Sequence, residues 1–363
     1  MKVTVRSFAK INLGLRIGAP RDDAFHELLT VYQTIALHDV IRVSVGRGTG
    51  VEIHCADPRV PTDDSNTCHR IVEKAMQALR AKGRVVVEIE KRLPVQGGMG
   101  GASANAVATL IGLERALKKS MSAAEKLKIA AEVGSDLPLF LVGGTVLGVG
   151  RGEQVYPLED LPAMDCVVLT PEVGVSTPKA FAAWDRVNSC GAGTLAREGL
   201  KERSLVGADK EPAELRSPRT GVSAPPHTNS ILPAKLTVSH PSDRMNGLSR
   251  GLSAWLSAPY SGAPFRRGQA ENHILELVRA GIKNDFEEVV FPEYPELSDG
   301  KHALLRAGAK YASLSGSGST LYGLFASREA ATKAVARLRK QGWAAQATST
   351  LPRRAYWRRI VAA

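Results

Sequence analysis

The chain has 363 residues, of which 44% are hydrophobic, 23% charged and only 5% aromatic; this balance excludes a wholly disordered protein and leaves room for two buried cores. A formal net charge of +12 favours an anionic partner, whether nucleic acid, a membrane surface or a phosphorylated small molecule, without choosing among them. The cysteines Cys55, Cys68, Cys166 and Cys190 lie far apart with no CxxC spacing, which suggests neither a disulfide framework nor a zinc site and reads as reduced thiols.

The N-terminal "MKVTVRSFAKINLGL" alternates instead of setting an unbroken apolar run behind a basic head, and no run reaches membrane-spanning length. A cytoplasmic protein is therefore expected. Residues 1–60 read as strands, with "KVTVRSF", "DVIRVSVG" and "GVEIHC" alternating as half-buried strands do. Within "SFAKINLGLRI", Lys10 and Asn12 share parity and so project to one face. That lysine is either a surface side chain or half of a functional pair at a cleft, and its apolar neighbours Phe8, Ala9, Ile11 and Leu13 favour the pair.

Residues 66–82 switch to helical spacing, with Ile71, Ala75, Ala78 and Leu79 on one side, and "GRVVVEIEKRL" returns to strand. Next comes "LPVQGGMGGASANAVATL", in which Gly97, Gly98, Gly100 and Gly101 separate a strand ending at Leu93 from a helix starting near Ala102. Backbone N–H groups in such a loop, backed by the helix dipole, make a phosphate cradle; a plain tight turn is the alternative. Neither the P-loop pattern nor a spaced G-x-G-x-x-G with a downstream ribose acid is present.

"SAAEKLKIAAEVG" reads as a helix with a Ser122–Glu125 capping box and a terminal Gly134. Asp136 follows, set before the apolar "LPLFLV", where an ionised carboxylate needs a partner unless it merely caps the next turn. "GGTVLGVGRGEQVYPL" looks like a hairpin and closes a first α+β domain over residues 1–165.

"DCVVLTPEVGVSTPKAFAAW" opens a second domain, 166–363, as strand, turn and helix. At about 188–268 it is interrupted by a Pro-, Ser- and base-rich insertion expected to be disordered. Order resumes at "NHILELVRAGIKNDFEEVVF", then "KYASLSGSGSTLYGLFA" as strand–glycine turn–strand, the helix "REAATKAVARLRKQG" and a last strand near "AAQATST". The terminal "RRAYWRRI" is expected to be a solvated basic terminus. Its mixture of arginines and aromatics keeps an RNA-binding module as a rival, against which stand the sparse aromatics and the lack of an RRM or KH signature.

Taken in order, "FAKINLGL", "LPVQGGMGGASANAVATL", "GSDLPLFLVGGTVLGVGRGE" and "LSGSGSTLYGLF" resemble the GHMP kinase superfamily over roughly residues 1–187 and 269–350. With "FHEL" at 25–28, they resemble most the branch whose acceptor is a cytidine diphosphate derivative of methylerythritol, in non-mevalonate isoprenoid synthesis. A homoserine- or mevalonate-type acceptor is the alternative within the superfamily.

The resemblance implies an α+β, two-domain architecture: an N-terminal domain like domain 2 of ribosomal protein S5, a ferredoxin-like C-terminal domain, and an active site in the cleft between them. It implies ATP with Mg²⁺ as cofactors, a small-molecule substrate, no nucleic acid, no membrane, no metal site built from protein alone, and a monomer or weak homodimer. ATP would lie on Pro94, Val95, Gln96, Gly97, Gly98, Met99, Gly100, Gly101, Ala102, Ser103, Ala104 and Asn105, with Asn66 close to adenine and Gly316, Ser317 and Gly318 supporting the phosphate region. Lys10 and Asp136 would be catalytic, and Asn12, Phe25, His26 and Thr177 would bind substrate. Phe25 stands where the family commonly has tyrosine. Ala102 and Ala104 stand where it usually has Gly and Ser, which implies one lost phosphate-contacting hydroxyl and weaker nucleotide affinity.

Overall fold

The computed structural model describes residues 2–188 and 282–362. The insertion expected at about 188–268, Asn188 apart, lies outside the described residues, as do Cys190 and the start of "NHILELVRAGIKNDFEEVVF". Cys68 and Cys166 are buried free thiols, and burial pushes the Cys68 thiol up to about 12.

The alternating N-terminal residues form two long antiparallel strands, β1 (Lys2–Pro20) and β2 (His26–Gly46), rather than several short ones. β2 has β1 along one edge, while its other edge is shared by β5 (Thr145–Gly150) over its first half and β4 (Arg84–Glu90) over its second. β3 (Val51–Cys55) pairs parallel with β4, and β6 (Gln154–Pro157) pairs antiparallel with β5, which gives six strands in the order β3-β4-β2-β5-β6 with β1 on β2. Against this sheet pack α1 (Thr67–Ala78), α2 (Gly101–Leu117), α3 (Ala123–Val133) and the short α4 (Leu137–Val142). Val5, Ile41, Val43 and Val87 of the sheet meet Ile71, Val107, Leu110 and Leu113 of α1 and α2 in one core. Both halves of the capping box at Ser122 and Glu125 are formed.

The second sheet joins β7 (Asp165–Leu169), β8 (Tyr311–Leu314), β9 (Leu321–Phe325) and β10 (Ala345–Ser349) in the antiparallel order β10-β7-β9-β8. Its strands run fourth, first, third, second in chain order, as in a ferredoxin-like sheet. Helix α5 (177–188), α6 (Glu287–Glu293), α7 (Pro295–Arg306) and α8 (Arg328–Lys340) accompany it. The chain is thus α+β with two sheets and two domains.

The C-terminus corrects one expectation. "RRAYWRRI" is a helix, α9 (Arg353–Ile360), not a solvated tail: Tyr356 and Ile360 are buried in the first-domain core and Val361 bridges back to Val5. Spacing explains it, because Tyr356 and Ile360, four residues apart, turn inward while Arg354, Arg358 and Arg359 stay exposed. The chain therefore ends on the sheet where it began.

β1 ties the cores together. Val3, Val5 and Phe8 belong to the first, Leu15 and Ile17 to the second, and Ala9, Ile11 and Leu13 to a third cluster that includes Cys166, Val168 and Tyr322 of the second sheet. Lys10 and Asn12 lie on this strand, among the residues that join the clusters.

Candidate active site

The glycine loop ends in a bare helix terminus. Gly100 occupies the N-cap of α2 at φ 67°, no side chain caps the helix and its first turn holds no acid. The first bond of the helix runs from Ala104 N to Gly100 O, 2.8 Å, so the amides of Gly101, Ala102 and Ser103 have no intrahelical acceptor. Those donors and the positive end of a 17-residue helix face one hollow.

Glycine is required at 98, where φ is +75° and an added Cβ would lie 2.1 Å from Ser315 O. The reason is the second glycine turn, which packs directly behind the first: Ser315 Oγ donates to Gly98 O (3.0 Å) and Thr320 N to Gly97 O (3.1 Å).

Residues 94–105 line a cavity of about 370 Å³ together with Asn66, with one exception. Ala104 is absent from that lining and is buried in the first-domain core. The structure thus places Ala104 away from the cavity on which the sequence expected it. Asn66 lines the cavity, but its amide caps α1, accepting from Cys68 N at 2.8 Å and donating to Pro61 O.

A second cavity of about 260 Å³ holds Lys10, Asn12, Phe25, His26, Asp136 and Thr177. It shares Gly98 and Gly100 with the first. Lys10 and Asn12 fall between two register shifts in β1, and the irregularity lets Lys10 N turn to Met99 O at 3.1 Å. The Lys10 side chain is almost fully buried; its Nζ donates to Asn12 Oδ1 at 2.7 Å and lies 3.5 Å from Asp136 Oδ2. Asn12 in turn donates to Thr30 Oγ1 at 2.8 Å, which fixes its amide.

Asp136 sits at the N-cap of α4 yet makes no capping bond with its side chain. The capping alternative is thus excluded, and the carboxylate takes Lys10 and the Tyr32 hydroxyl, 3.2 Å away, as partners. Burial, and next the negative charge of Asp136, hold the Tyr32 phenol well above its ordinary value, so it stays a neutral donor.

At the far end, Phe25 is half-exposed with the Arg151 guanidinium 5.0 Å from its ring. His26 stacks on Phe181 at 5.0 Å, and its Nε2 lies 2.7 Å from Asp185 Oδ1. Thr177 and Ser317 share a hydroxyl contact of 2.7 Å. Gly316 and Ser317 line this cavity and Gly318 does not; its carbonyl packs against Gly98.

Sequence reasoning missed Thr30, Tyr32, Arg151, Phe181 and Asn284. Thr30 and Tyr32 share parity on β2, and Tyr32 pairs with Asn12 in the register, so extending the parity argument to β2 would have found them. Phe181 lies one helical turn after Thr177. Asn284 donates to Leu314 O and Gly316 O, a long-range contact with no local signal.

Family models for both halves of one kinase fold match the chain: the GHMP kinases N terminal domain over residues 66–144 and the GHMP kinases C terminal domain over 267–343. The protein is a GHMP kinase. Solved structures with this fold include a 4-(cytidine 5'-diphospho)-2C-methyl-D-erythritol kinase (TM-score 0.63, 23% identity, 96% of this chain and 98% of that one) and a homoserine kinase from Cytophaga hutchinsonii (TM-score 0.64, 20% identity, 97% and 95%). The two scores leave the subgroup open; sequence decides it. The 4-diphosphocytidyl-2-C-methyl-D-erythritol kinase of Solibacter usitatus is 31% identical over 364 residues, covering 98% of this chain and 92% of its own, and that of Acaryochloris marina is 31% identical over 90% and 88%. The chain belongs to the 4-diphosphocytidyl-2-C-methyl-D-erythritol kinase family.

Proposed function

We propose that the protein transfers the γ-phosphoryl group of ATP to the 2-hydroxyl of 4-diphosphocytidyl-2-C-methyl-D-erythritol, a step in isoprenoid precursor synthesis. One observation carries the reading: the nucleotide cavity and the Lys10–Asp136 cavity meet at Gly98 and Gly100, so a phosphoryl group cradled by the loop faces an alcohol held beside the carboxylate.

Asp136 accepts the proton of the attacking hydroxyl. Lys10 and Tyr32 hold that carboxylate from two sides, and Asn12, anchored on Thr30, orients the ammonium. Charge developing on the transferring oxygens meets Lys10 and the unclaimed amides at the start of α2, groups already in place before reaction. Thr177 and Ser317 offer hydroxyls to the substrate, and Arg151 offers its cation to the diphosphate.

Mg²⁺ arriving with the nucleotide fits the oxygen donors lining the two cavities, namely Asp136, Ser103 and Asn105, whose Oδ1 is buried without a hydrogen-bond partner. It would supply neutralisation of phosphate charge.

The test is ³¹P NMR of purified protein with ATP, Mg²⁺ and the cytidine diphosphate substrate, with homoserine and mevalonate as competing acceptors. Phosphorylation of the cytidine substrate alone is expected; turnover only of another acceptor, or none at all, overturns the proposal.

A further inference from the structure

The His26 imidazole is held on two sides before any substrate arrives. Its face lies on Phe181, 5.0 Å away and nearly parallel at 10°. Its Nε2 contacts Asp185 Oδ1 at 2.7 Å. His26 and Phe181 line the 260 Å³ cavity; Asp185 does not, and its half-exposed carboxylate meets the ring at Nε2. Thr177, Phe181 and Asp185 recur at intervals of four along α5 and so share one helix face; Thr177 meets Ser317 of the second glycine turn, while Phe181 and Asp185 meet His26 at the start of β2.

The chemistry of the contact fixes the ring. An ionised carboxylate can only accept, so the shared proton belongs to Nε2; in a neutral imidazole the other nitrogen, Nδ1, is then an acceptor. Among the described residues the Asp185 contact is the one hydrogen bond this imidazole makes, which leaves Nδ1 for a ligand. Cytosine and uracil differ at one exocyclic group: cytosine carries an amino donor where uracil, like thymine, carries a carbonyl acceptor. A histidine free to choose its tautomer could greet either. A histidine pinned at Nε2–H accepts from the amino group and opposes the carbonyl.

We infer that Asp185 is a specificity-determining positioning residue: by holding the proton on His26 Nε2, it makes Nδ1 an acceptor that selects a cytosine-type base over a uracil-type base. This rests on the functional reading above, which puts a cytidine diphosphate in this cavity.

The test measures calorimetric binding of cytidine 5'-diphosphate and uridine 5'-diphosphate, with the nucleotide cavity filled by a non-hydrolysable ATP analogue. Wild type should prefer the cytidine ligand by about tenfold or more, the scale of one hydrogen bond made against one opposed. In Asp185→Ala the preference falls towards unity through weaker cytidine binding. In Asp185→Asn, whose Oδ1 can accept the same proton, most of the preference returns. ATP-analogue affinity stays within about twofold in all three, since Asp185 lies outside the nucleotide cavity. Histidine-selective ¹⁵N spectra give a second readout: His26 should carry its proton on Nε2 in wild type and populate both tautomers in Asp185→Ala.

An unchanged preference in Asp185→Ala, no preference in wild type, or a wild-type ring protonated on Nδ1 would each overturn the inference. Lack of catalytic turnover with the cytidine substrate would sink the functional reading instead, while base preference and tautomer still decide the role of Asp185.

Discussion

In the proposed reaction Asp136 takes the hydroxyl proton, and its contacts with Lys10 and Tyr32 define what each neighbour would contribute. Asp136→Asn keeps the shape and an acceptor for Tyr32 but removes the proton acceptor for the hydroxyl. Turnover should fall about 10³-fold, within the usual range for a general base. The KM for ATP should move less than kcat, since Asp136 does not line the glycine-loop cavity. Steady-state kinetics with ATP varied separate these effects. Tyr32→Phe deletes one 3.2 Å hydrogen bond from the carboxylate and should lower kcat about tenfold, the scale of one such bond; an unchanged kcat would make Tyr32 packing alone. At this scale the sequence was legible wherever chemistry coincided with local pattern. Lys10 and Asn12 stood out by strand parity and Asp136 by its apolar setting. Tyr32 did not, because a tyrosine in an alternating strand looks like core until the register sets it beside Asn12.

Among elements, the glycine loop and α4 show two ways of holding a site. The loop is shaped by the second turn, which reaches it from more than 200 residues along the chain (|i−j| = 217). In Gly98→Ala the new Cβ would enter Ser315 O at a φ of +75°, so loop and turn must separate. A drop of tenfold or more in ATP affinity is expected, as is a loss of about 1–3 kcal/mol of stability for a non-glycine residue forced into that conformation. Equilibrium binding and urea melts measure the two, and wild-type values for both would refute the packing argument. α4, with six residues, is too short to persist alone. Its terminal carbonyls are taken by α9: the Tyr356 hydroxyl donates to Phe140 O at 2.7 Å, Trp357 Nε1 to Val142 O at 3.0 Å and Arg353 Nε to Gly143 O. Tyr356→Phe leaves the buried Phe140 carbonyl with one partner fewer and should lower stability by about 1 kcal/mol, with a smaller fall in kcat transmitted through Asp136 at the head of α4. No local pattern could show this. "RRAYWRRI" reads as a charge run until its partner, some 215 positions earlier (|i−j| = 215), is in view, and a six-residue apolar segment is too short to declare its own period.

Over the whole molecule, the halves read from composition as separate domains are joined by a strand that belongs to both. β1 places side chains in all three hydrophobic clusters, and the segment 283–285 locks it to the second domain. Leu15 N donates to Lys283 O, Asp285 N donates to Leu15 O, and the Asp285 carboxylate accepts from Arg16 at 2.7 Å and Ile17 N at 2.9 Å. A domain that unfolded alone would have to strip β1 out of its neighbour's core and leave these backbone groups unpaired. Heat or urea should therefore unfold the described body in one transition, seen at the same midpoint by far-ultraviolet circular dichroism and by tryptophan fluorescence. Asp285→Ala attacks the joint. The Asp285 side chain is fully buried and that of Arg16 only 11% exposed, so the substitution removes the carboxylate facing a sequestered guanidinium and should destabilise by about 3–5 kcal/mol. The variant also distinguishes two pictures of the molecule. If β1 couples the halves, the single transition of the wild type moves down or splits in Asp285→Ala. If the halves are independent, the wild type already shows two midpoints and the substitution shifts only the one containing Phe286 and Leu297.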